Sequence, residues 1–477
     1  MGRLATGYVD SRSRVVIVGG GFAGLYAAKG LKRAPVHVTL VDRRNHHLFQ
    51  PMLYQVATAA LNPSDIANPI RSILRAQTNT DVLLGDVVSV DVERREVLLA
   101  DGMALAYDYL IVATGARHSY FGHDDWERLA PGLKSLEDAL NIRTRVLLAF
   151  EQAEREILPE LRQALLTFVV VGGGPTGVEL AGALAEIRNF ALQRDFRQIN
   201  PRDATVMLIE AGPRILATYP PELSERAVNE LRRLGVEVRL NTMVTNIREW
   251  SVQAGEWSIP TRTVLWAAGN VASPLLTTLH TPLDRQGRAI VQPDCSIPGH
   301  PEVFVLGDAA HYAEGDGTLP GVSPAAIQMG QYAARVIREE IAGRRPAGGF
   351  AASPEGRKAL DGTDTAARRP FSYWDKGQLA VIGRGHAVAD IGRLHFGGLI
   401  AWLAWIFVHI FFLIGFRNRV LVLIQWAYSY ITYRRGARLI TGEVGPGAPT
   451  RPVSELPTGP LDDLAPHAAP AGRSGAP

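Results

Sequence analysis

Two stretches of the chain combine a short apolar run, a glycine-rich loop and a helical repeat of apolar positions. The first, VVIVGGGFAGLYAAKGL, begins at Val15, and the second, FVVVGGGPTGVELAGAL, begins at Phe168. Both runs are rich in β-branched residues, which predicts strands of parallel sheets that are covered on both faces. Two such strand–loop–helix units predict an α/β fold with two Rossmann-like nucleotide-binding domains.

Further strands are predicted outside these two units. Alternating apolar and polar residues and an Asp-Gly turn in DVVSVDVERREVLLADG predict a hairpin. Apolar runs that end in small residues predict strands within 108–116, 263–269 and 302–310. A polar stretch rich in glycine and proline, 342–370, predicts a surface insertion, and the Pro-, Ala- and Gly-rich residues after Gly442 predict a disordered tail.

The glycines of the first loop have the spacing of a dinucleotide-binding fingerprint. Gly19 permits the tight turn, Gly21 lets the backbone approach a pyrophosphate, and Gly24 lets the helix pack closely on the strand. The next predicted strand, VHVTLVD, ends at Asp42, where a carboxylate that binds a ribose 2′-hydroxyl is expected. Strand, loop, helix and acid together predict a dinucleotide whose phosphates meet the free N–H groups of the helix.

The second loop carries the same three glycines, Gly172, Gly174 and Gly177. The acid at the end of its following strand is Glu210, which lies farther from the loop than the usual spacing of about 20 residues. An extended helix over 183–198 would fill that gap. A carboxylate here favours NADH, because it would repel the 2′-phosphate of NADPH, although Arg214 lies close enough in sequence to weaken this preference.

The motif VFVLGDAA indicates that the two units have different roles. Gly307 allows a close approach, and Asp308 can accept a hydrogen bond from a flavin ribityl hydroxyl at the start of the next helix. The simpler interpretation of Asp308 is a helix cap. Two dinucleotide folds in one chain are useful when one holds a flavin and the other presents a nicotinamide to it, so FAD and NADH are the expected ligands.

Composition excludes several classes of function. The formal net charge is +3 and the basic residues are spread along the chain, so nucleic-acid binding is not expected. Cys295 is the single cysteine, which excludes an intrachain disulfide and a redox pair of cysteines. No metal-site spacing, serine-hydrolase elbow or phosphate-transfer P-loop is present. The first residues lack the apolar core of a secretory signal, so a cytoplasmic catalytic body is expected.

Several longer motifs accompany the loops: NHHLFQPMLYQVATAAL after Asp42, PTGVELAGALAEI, PGVSPAAIQMGQYAARVI from Pro320, DKGQLAVIGRGHAVAD from Asp375, and GFRNRVLVLIQWAYSYIT. With the glycine loops and GDAA, they resemble the two-dinucleotide-binding-domain flavoproteins. Within that superfamily the sequence is similar to the type II NADH dehydrogenases, NADH:quinone oxidoreductases that do not pump protons. The resemblance covers roughly residues 14–442.

The resemblance implies roles for several residues. Those implied to lie near the flavin are Gln50, Pro51 and Tyr54. Glu179 would lie by the flavin and the nicotinamide and influence proton delivery to the quinone. Gln328 would lie beside the isoalloxazine on the quinone side, and Lys376 near the quinone entrance. Many members carry a glutamine four residues before Gln328, where this chain has Pro324, so the preference for a quinone head group stays open.

Simpler roles are also open for the three candidate catalytic residues. Without the resemblance, Glu179 suits a paired structural carboxylate, Gln328 a packing residue and Lys376 a solvated charge. A carboxylate buried beside a flavin would, however, have a raised pKa. The predicted cofactor-binding residues are Gly19, Gly21, Phe22, Ala23, Gly24, Asp42, Gln50, Pro51, Tyr54, Thr114, Gly115, Gly172, Gly174, Pro175, Thr176, Gly177, Glu210, Gly269, Gly307, Asp308, Ala326 and Gln328.

Residues 397–416, GGLIAWLAWIFVHIFFLIGF, form an apolar stretch in which His409 is the single titratable residue. Its length approaches the roughly 20 residues needed to cross a bilayer. A second apolar stretch rich in Trp and Tyr follows, and arginines flank it on both sides. A buried core helix, one transmembrane helix, and a hairpin or pair of interfacial helices are the competing interpretations. The flanking residues and the resemblance favour an interfacial anchor on one leaflet.

These observations predict an NAD domain inserted in an FAD domain, followed by a membrane-anchoring helical region. The predicted segments are 12–143 and 271–341 for the FAD-binding domain, 144–270 for the NADH-binding domain, 342–395 for a C-terminal subdomain with the insertion, 396–440 for the anchoring helices and 441–477 for the tail.

The expected activity is transfer of two electrons from NADH, via non-covalently bound FAD, to a membrane quinone. The alternatives are a soluble NAD(P)H:acceptor flavin reductase of the ferredoxin-reductase type and a flavin-binding signalling protein of low turnover. The expected location is the cytoplasmic face of the inner (plasma) membrane, with the lipid surface as a partner. The identity of the quinone and the presence of a homodimer are left open.

Overall fold

The computed structural model describes residues 12–193, 195–315, 317–343, 368–413, 419–424, 426–427 and 437–440. Most of the predicted surface insertion at 342–370 and all of the predicted tail at 441–477 lie outside these residues. The described residues form two α/β units, a three-stranded antiparallel sheet and a helix that carries the first half of the apolar C-terminal stretch.

The first segment of the chain forms most of one α/β unit. Its elements are β1 Ser13–Val18, α1 Phe22–Gly30, β2 Val36–Asp42, β3 His46–Leu48, α2 Leu53–Ala57, α3 Pro63–Ile66, β4 Ala67–Pro69, α4 Ile70–Leu74, β5 Thr80–Leu84, β6 Val87–Asp91, β7 Glu96–Leu99, β8 Ala104–Ala106, β9 Tyr109–Val112 and β10 Ala116–His118. The predicted hairpin is confirmed as β6 and β7, which pair antiparallel.

The second segment forms the other α/β unit. Its elements are α5 Leu136–Arg155, α6 Pro159–Leu165, β11 Thr167–Val171, α7 Pro175–Glu186, β12 Thr205–Ile209, α8 Pro221–Arg233, β13 Val236–Arg239, β14 Val244–Ile247, β15 Ser251–Ala254, β16 Trp257–Pro260 and β17 Thr263–Trp266. Helix α5 crosses the predicted boundary between residues 143 and 144. The extended helix predicted over 183–198 ends earlier, because α7 gives way to one π-helical turn, Ile187–Ala191.

The chain then returns to the first unit and adds a separate C-terminal sheet. The returning elements are β18 Asn270–Ala272, β19 Ala289–Ile290, β20 Ser296–Ile297, β21 His300–Val305, β22 Ala310–His311, β23 Ala313–Glu314, β24 Gly317–Thr318 and α9 Ser323–Gly343. The C-terminal elements are β25 Gln378–Gly383, β26 His386–Ile391, β27 Leu394–Gly398 and α10 Leu399–Phe412. The strands predicted within 108–116, 263–269 and 302–310 are confirmed as β9, β17 and β21.

Strand order places a switch point in each of the two main sheets. The larger sheet has the order β20–β21–β9–β1–β2–β5 and is parallel except for β20, and the smaller sheet has the order β13–β12–β11–β17 and is parallel throughout. The chain reverses direction across the sheet between β1 and β9 in the first unit and between β11 and β17 in the second. Ligands of doubly wound sheets bind at the carboxyl ends of the strands at such points.

The second unit is an insertion in the first. The strands of the smaller sheet all come from residues between β9 and β21, which are neighbours in the larger sheet. Strands β10 and β18 pair antiparallel where the chain leaves the first unit and returns to it. The two α/β units are therefore joined by two adjacent crossings of the chain.

The C-terminal sheet packs on the second unit through a close helix–strand contact. A β-carbon at Gly182 of α7 would collide with the carbonyl oxygen of Ile382 in β25, so glycine is required for this approach. Trp405 of α10 is buried in the same core as Val388 of β26 and Leu180 of α7. Helix α10 thus belongs on one side to the core of the folded protein.

The apolar C-terminal stretch is shorter as a helix than its composition suggests. Gly397 and Gly398 belong to β27, where they pair with β26, and α10 ends at Phe412. Within the described ranges, no helix combines the length and the apolarity required to cross a bilayer.

Candidate active site

The first glycine loop has the shape of a phosphate cradle. Gly19 has a φ of +104°, and a β-carbon at Gly24 would collide with the carbonyl oxygen of Gly19, so glycine is required at both positions. Around Gly21 there is open space instead. Helix α1 begins at Phe22, so its first backbone N–H groups face this opening.

Asp42 holds the loop itself. Its Oδ2 accepts a hydrogen bond of 2.6 Å from the N–H of Gly20, and its Oδ1 accepts one of 2.7 Å from the N–H of Arg44. A charge-assisted bond of this kind is stronger than one between neutral groups. The acid predicted to bind a ribose therefore also fixes the backbone that would surround the phosphates, a role the sequence pattern did not reveal.

The carboxyl ends of β9 and β21 complete the first cradle. Thr114 follows β9, and its hydroxyl is buried without a hydrogen-bond partner among the described residues. Gly115 has a φ of +66° and faces open space. Gly307 follows β21 with the same φ, and a β-carbon there would press on Ala23 of α1 and Ala326 of α9. A buried hydroxyl without a partner among the described residues, beside the open backbone of Gly115, fits a polar ligand such as FAD.

Two further residues of this site were not predicted from the sequence. The ring of His47 is buried, its Nδ1 lies 3.0 Å from the carbonyl oxygen of Gly20, and Phe22 contacts its ring edge-on at 5.0 Å. Burial lowers the pKa of Lys134, and the carboxylates of Asp308 and Asp138 oppose this effect. Neither residue belongs to a loop motif, and only the folded chain brings them to the cradle.

The second glycine loop repeats the geometry of the first. Gly172 has a φ of +108°, a β-carbon at Gly177 would collide with the Gly172 carbonyl oxygen, and Gly174 faces open space. Pro175 and Thr176 are exposed in the first turn of α7. A dinucleotide phosphate therefore fits here on the same grounds.

Glu210 holds the second loop as Asp42 holds the first. Its Oε2 accepts a 2.6 Å hydrogen bond from the N–H of Gly173, and its Oε1 accepts one of 2.6 Å from the N–H of Gly212. The guanidinium of Arg214 instead donates to the carbonyl oxygen of Ala217. The negative charge of Glu210 is therefore directed at the loop, while Arg214 has other partners.

Gly269 lies apart from the second loop, where the chain returns towards the first unit. Its φ is +72°, and a β-carbon would meet the carbonyl oxygen of Ser119 and the ring of Phe121. Trp266 donates its indole N–H to the same Ser119 carbonyl oxygen at 2.9 Å. Gly269 therefore has a clear structural role in the link between the two units.

Glu179 of α7 lies where the second unit meets the C-terminal sheet. Its carboxyl is deep enough that burial raises the pKa of Glu179 to about 8. The Val381 N–H, 3.4 Å from Oε1, and the Trp405 indole favour the ionised form and limit this rise. Tyr219 lies close enough for the Glu179 charge to raise the pKa of its phenol further. At neutral pH the carboxyl carries a proton.

Aromatic rings connect the segment from Phe49 to Tyr54 with α10. Trp405 is buried, contacts Tyr54 of α2 at 6.5 Å between ring centroids, and stacks on His409 at 4.1 Å. His409 contacts Phe49 at 6.1 Å, and its Nδ1 donates to the Trp405 carbonyl oxygen at 2.8 Å. Burial lowers the pKa of His409 to about 4, so this ring is neutral. Gln50 and Pro51, which precede α2, form a 3-10 turn beside the cluster.

Gln328 of α9 and Lys376 both contact Trp374. The side-chain amide of Gln328 donates to the Trp374 carbonyl oxygen and accepts from the Trp374 N–H, both at 3.0 Å. The Nζ of Lys376 lies 5.4 Å from the Trp374 ring centroid and 5.2 Å from that of Phe412. Pro324 occupies the first turn of α9, one turn before Gln328. These residues connect α9 with α10 through Trp374, which the sequence did not single out.

Two nucleotide cradles of the same kind are typical of the fold class of flavin- and nicotinamide-dependent oxidoreductases. In this protein a protonated carboxyl and an aromatic cluster accompany the two cradles. The chain matches the family model described as pyridine nucleotide-disulphide oxidoreductase over residues 13–330, and the one described as NDH2 C-terminal domain over 375–435.

Curated relatives narrow this class. The type II NADH:quinone oxidoreductase Ndh of Mycobacterium tuberculosis is 45% identical over 444 residues, covering 91% of each chain. The demethylphylloquinone reductase NdbB of Synechocystis is 30% identical and covers 79% of this chain and 91% of its own. The structure of NDH2 from Plasmodium falciparum in complex with NADH has a TM-score of 0.77, with 19% identity, covering 90% of this chain and 100% of that one. The chain belongs to the type II NADH:quinone oxidoreductases.

Proposed function

We propose that this protein oxidises NADH and passes two electrons, via FAD, to a membrane quinone without pumping protons. The observation that carries the proposal is a junction of three elements. Glu179 of α7, which follows the nicotinamide-type loop, and Tyr54 of α2 in the flavin unit both approach Trp405 of α10. The donor loop, the flavin unit and the helix with an apolar outer face therefore meet at one place. The names of the relatives support the same reaction.

The residues of the first cradle fit FAD. The N–H groups at the start of α1 would hold its pyrophosphate, Asp42 its adenosine ribose, and Asp308 its ribityl chain. Thr114 and Gly115 offer a free hydroxyl and an open backbone edge to the same ligand. When bound, FAD supplies the chemistry of accepting a hydride and releasing two electrons.

The second cradle would hold NADH. The loop around Gly174 would receive the phosphates, and Glu210 would select against a 2′-phosphate by charge repulsion. The Arg214 guanidinium donates to the carbonyl oxygen of Ala217, and among the described residues no hydrogen bond or ion pair joins it to Glu210. We therefore expect a preference for NADH over NADPH.

Glu179 would hold a proton for the acceptor. Quinol formation takes up protons, and a carboxyl that is protonated at neutral pH can donate one within hydrogen-bond reach. The carboxyl of Glu179 also borders the aromatic cluster of α10 through the Trp405 indole. Its role is proton delivery, while Gln328 and Lys376 contribute on the acceptor side.

The outer face of α10 supports membrane association. Its exposed residues follow a helical repeat: Leu399, Ile400, Leu403, Phe407 and Phe411 are each more than half exposed. Such an apolar stripe on a helix that is buried on its other side is typical of an interfacial anchor. With the flanking arginines, it suits the cytoplasmic face of the inner membrane, and residues 396–440 would be the anchoring region.

Steady-state turnover with two kinds of acceptor tests this function. NADH oxidation by the flavin-loaded protein in lipid vesicles should be fast with a lipid-soluble quinone and should yield one quinol for each NADH. A protein that reduces a water-soluble one-electron acceptor rapidly but leaves quinone untouched would instead belong to the soluble-reductase alternative. A protein that retains flavin but turns over slowly with every acceptor would support a signalling role.

A further inference from the structure

Trp374 is a large, solvent-exposed aromatic residue that contacts Gln328 and Lys376, the two residues assigned above to the acceptor side. Its exposed fraction is 73%, although Phe371 in the same segment is buried against Tyr312 and Tyr332. Exposed indoles with a fixed position are typical of binding surfaces, because the ring offers a large contact area at a low cost in conformational entropy. The segment is therefore anchored at one point and presents an aromatic ring at another.

Gln328 fixes the backbone of Trp374. Both polar atoms of its side-chain amide are used in the pair of 3.0 Å hydrogen bonds to the Trp374 N–H and carbonyl oxygen. Two residues earlier on α9, Ala326 packs against Gly307 of the flavin cradle. A short path of contacts therefore runs from the cradle wall to the backbone of Trp374. Both polar groups of the Gln328 amide therefore bind this segment.

Lys376 ties the same segment to α10. Its ammonium lies between the rings of Trp374 and Phe412, at 5.4 and 5.2 Å from their centroids. A cation over both aromatic faces is attracted to each of them. The neighbouring Phe411 and Phe407 belong to the apolar stripe, with exposed fractions of 59% and 71%. Trp374 is therefore linked on one side to α9, which lines the flavin cradle, and on the other, through Lys376, to the end of α10.

We propose that the indole of Trp374 is the surface on which the ring of the acceptor quinone stacks, and that Gln328 is a positioning residue that acts through Trp374. This inference rests on the proposed function. A quinone ring is flat and electron-poor, and an indole is its natural stacking partner. The proposal assigns acceptor affinity to a residue outside the glycine loops. It also gives Gln328 an indirect part in acceptor binding.

The first test compares Trp374→Ala with a matched control. Like Trp374, Trp257 is an exposed tryptophan with a cation over its ring. The Arg239 guanidinium lies 5.0 Å from its ring centroid, but Trp257 belongs to the second α/β unit. Trp374→Ala should raise the KM for a short-chain ubiquinone analogue about tenfold, the typical worth of an aromatic pair, with kcat and flavin bleaching by NADH retained. Trp374→Phe should restore most of the affinity, and Trp257→Ala should change nothing.

Binding without turnover gives an independent readout. Adding the quinone analogue to the oxidised, flavin-loaded protein in the absence of NADH should quench tryptophan fluorescence. The part of the quenching that comes from Trp374 should be absent in Trp374→Ala, and quenching of the remaining tryptophans should require about tenfold more quinone. An effect of this variant confined to vesicle binding, with an unchanged KM for the soluble analogue, would overturn the proposal in favour of a simple lipid contact.

A double-mutant cycle tests the positioning role. Gln328→Met removes both hydrogen bonds at a similar side-chain length and should raise the quinone KM alone, but it should add nothing in the Trp374→Ala background. Gln328→Glu keeps the acceptor for the Trp374 N–H and should give an intermediate KM. Additive effects would show that Gln328 acts independently of the indole and would overturn this part. A wild-type protein that NADH bleaches but that reduces no quinone would reject the proposed function itself, a result distinct from these.

Discussion

Replacing Glu179 by Gln removes a proton from the junction of α7 and α10 without changing the size of the side chain. Burial raises the pKa of Glu179 to about 8, so the folded protein keeps this proton below about pH 8 and loses it above. The polar groups that face the carboxyl are the Val381 N–H, the Trp405 indole and the Tyr219 phenol. If Glu179 delivers a proton to the acceptor, quinone reduction must follow its protonated fraction.

The size of the effect follows from the pKa. With a pKa of about 8, roughly nine-tenths of the molecules carry the Glu179 proton at about pH 7 and roughly one-tenth at about pH 9, so kcat should fall about tenfold between them. In Glu179→Gln, kcat should be lower and independent of pH over this range. The assay is quinone reduction at saturating NADH and quinone in buffers of constant ionic strength.

Glu186→Gln is the matched control. Glu186 lies on the same helix and accepts a 2.6 Å hydrogen bond from the Arg384 N–H of the same C-terminal sheet. This variant should keep the wild-type pH profile, because Glu186 lies two turns further along α7 than Glu179, at the end of the helix. An unchanged decline of kcat above about pH 8 in Glu179→Gln would refute the assignment, since another group would then hold the titrating proton.

Three further predictions concern selectivity, stability and membrane binding. Glu210→Gln should raise kcat/KM for NADPH relative to NADH by about tenfold or more, as expected for removal of a like charge, whereas exposed Glu237→Gln should leave the ratio unchanged. The Arg368 side chain is buried between Asp294 and Glu340. Arg368→Met should therefore lower the free energy of unfolding, measured by urea denaturation, by about 3–5 kcal/mol, whereas Arg369→Met should have little effect. Phe407→Glu should weaken co-sedimentation with vesicles and leave NADH-driven flavin bleaching intact.

The glycine loops were predictable because their requirements are local. Gly19 is required by its positive φ, and Gly24 is required by its close contact with Gly19, five residues earlier. Asp42 follows at the end of the next strand. The same holds for the strands, whose continuous apolar runs indicate burial on both faces. The hydrogen bonds from Gly20 and Gly173 to the two acids were missed, because a spacing rule gives a distance along the chain and not a bond.

The contacts on the acceptor side could not be predicted from local sequence patterns. The Gln328–Trp374 pair joins residues 46 positions apart, and the Glu179–Val381 contact joins residues 202 apart. Such partners are set by how α7, α9 and α10 pack. The sequence supplied candidate residues there through its resemblance to known proteins, and the structure supplied their partners.

The apolar C-terminal stretch shows how tertiary structure changes a compositional prediction. Hydropathy treats residues 397–416 as one segment, but Gly397 and Gly398 pair with Val388 and Ala387 in the sheet. The helix is correspondingly shorter, and Trp405 packs into the core. A periodicity analysis within the stretch would have separated the buried and exposed faces, since the exposed residues recur every three or four positions.

The most direct measurement is an anaerobic titration of the purified, flavin-loaded protein in lipid vesicles. One equivalent of NADH per flavin should bleach the visible flavin absorbance, and one equivalent of a lipid-soluble quinone should restore it with formation of quinol. Absorbance that stays bleached after quinone is added, in a protein that a water-soluble acceptor reoxidises at once, would contradict a common junction for donor, flavin and quinone.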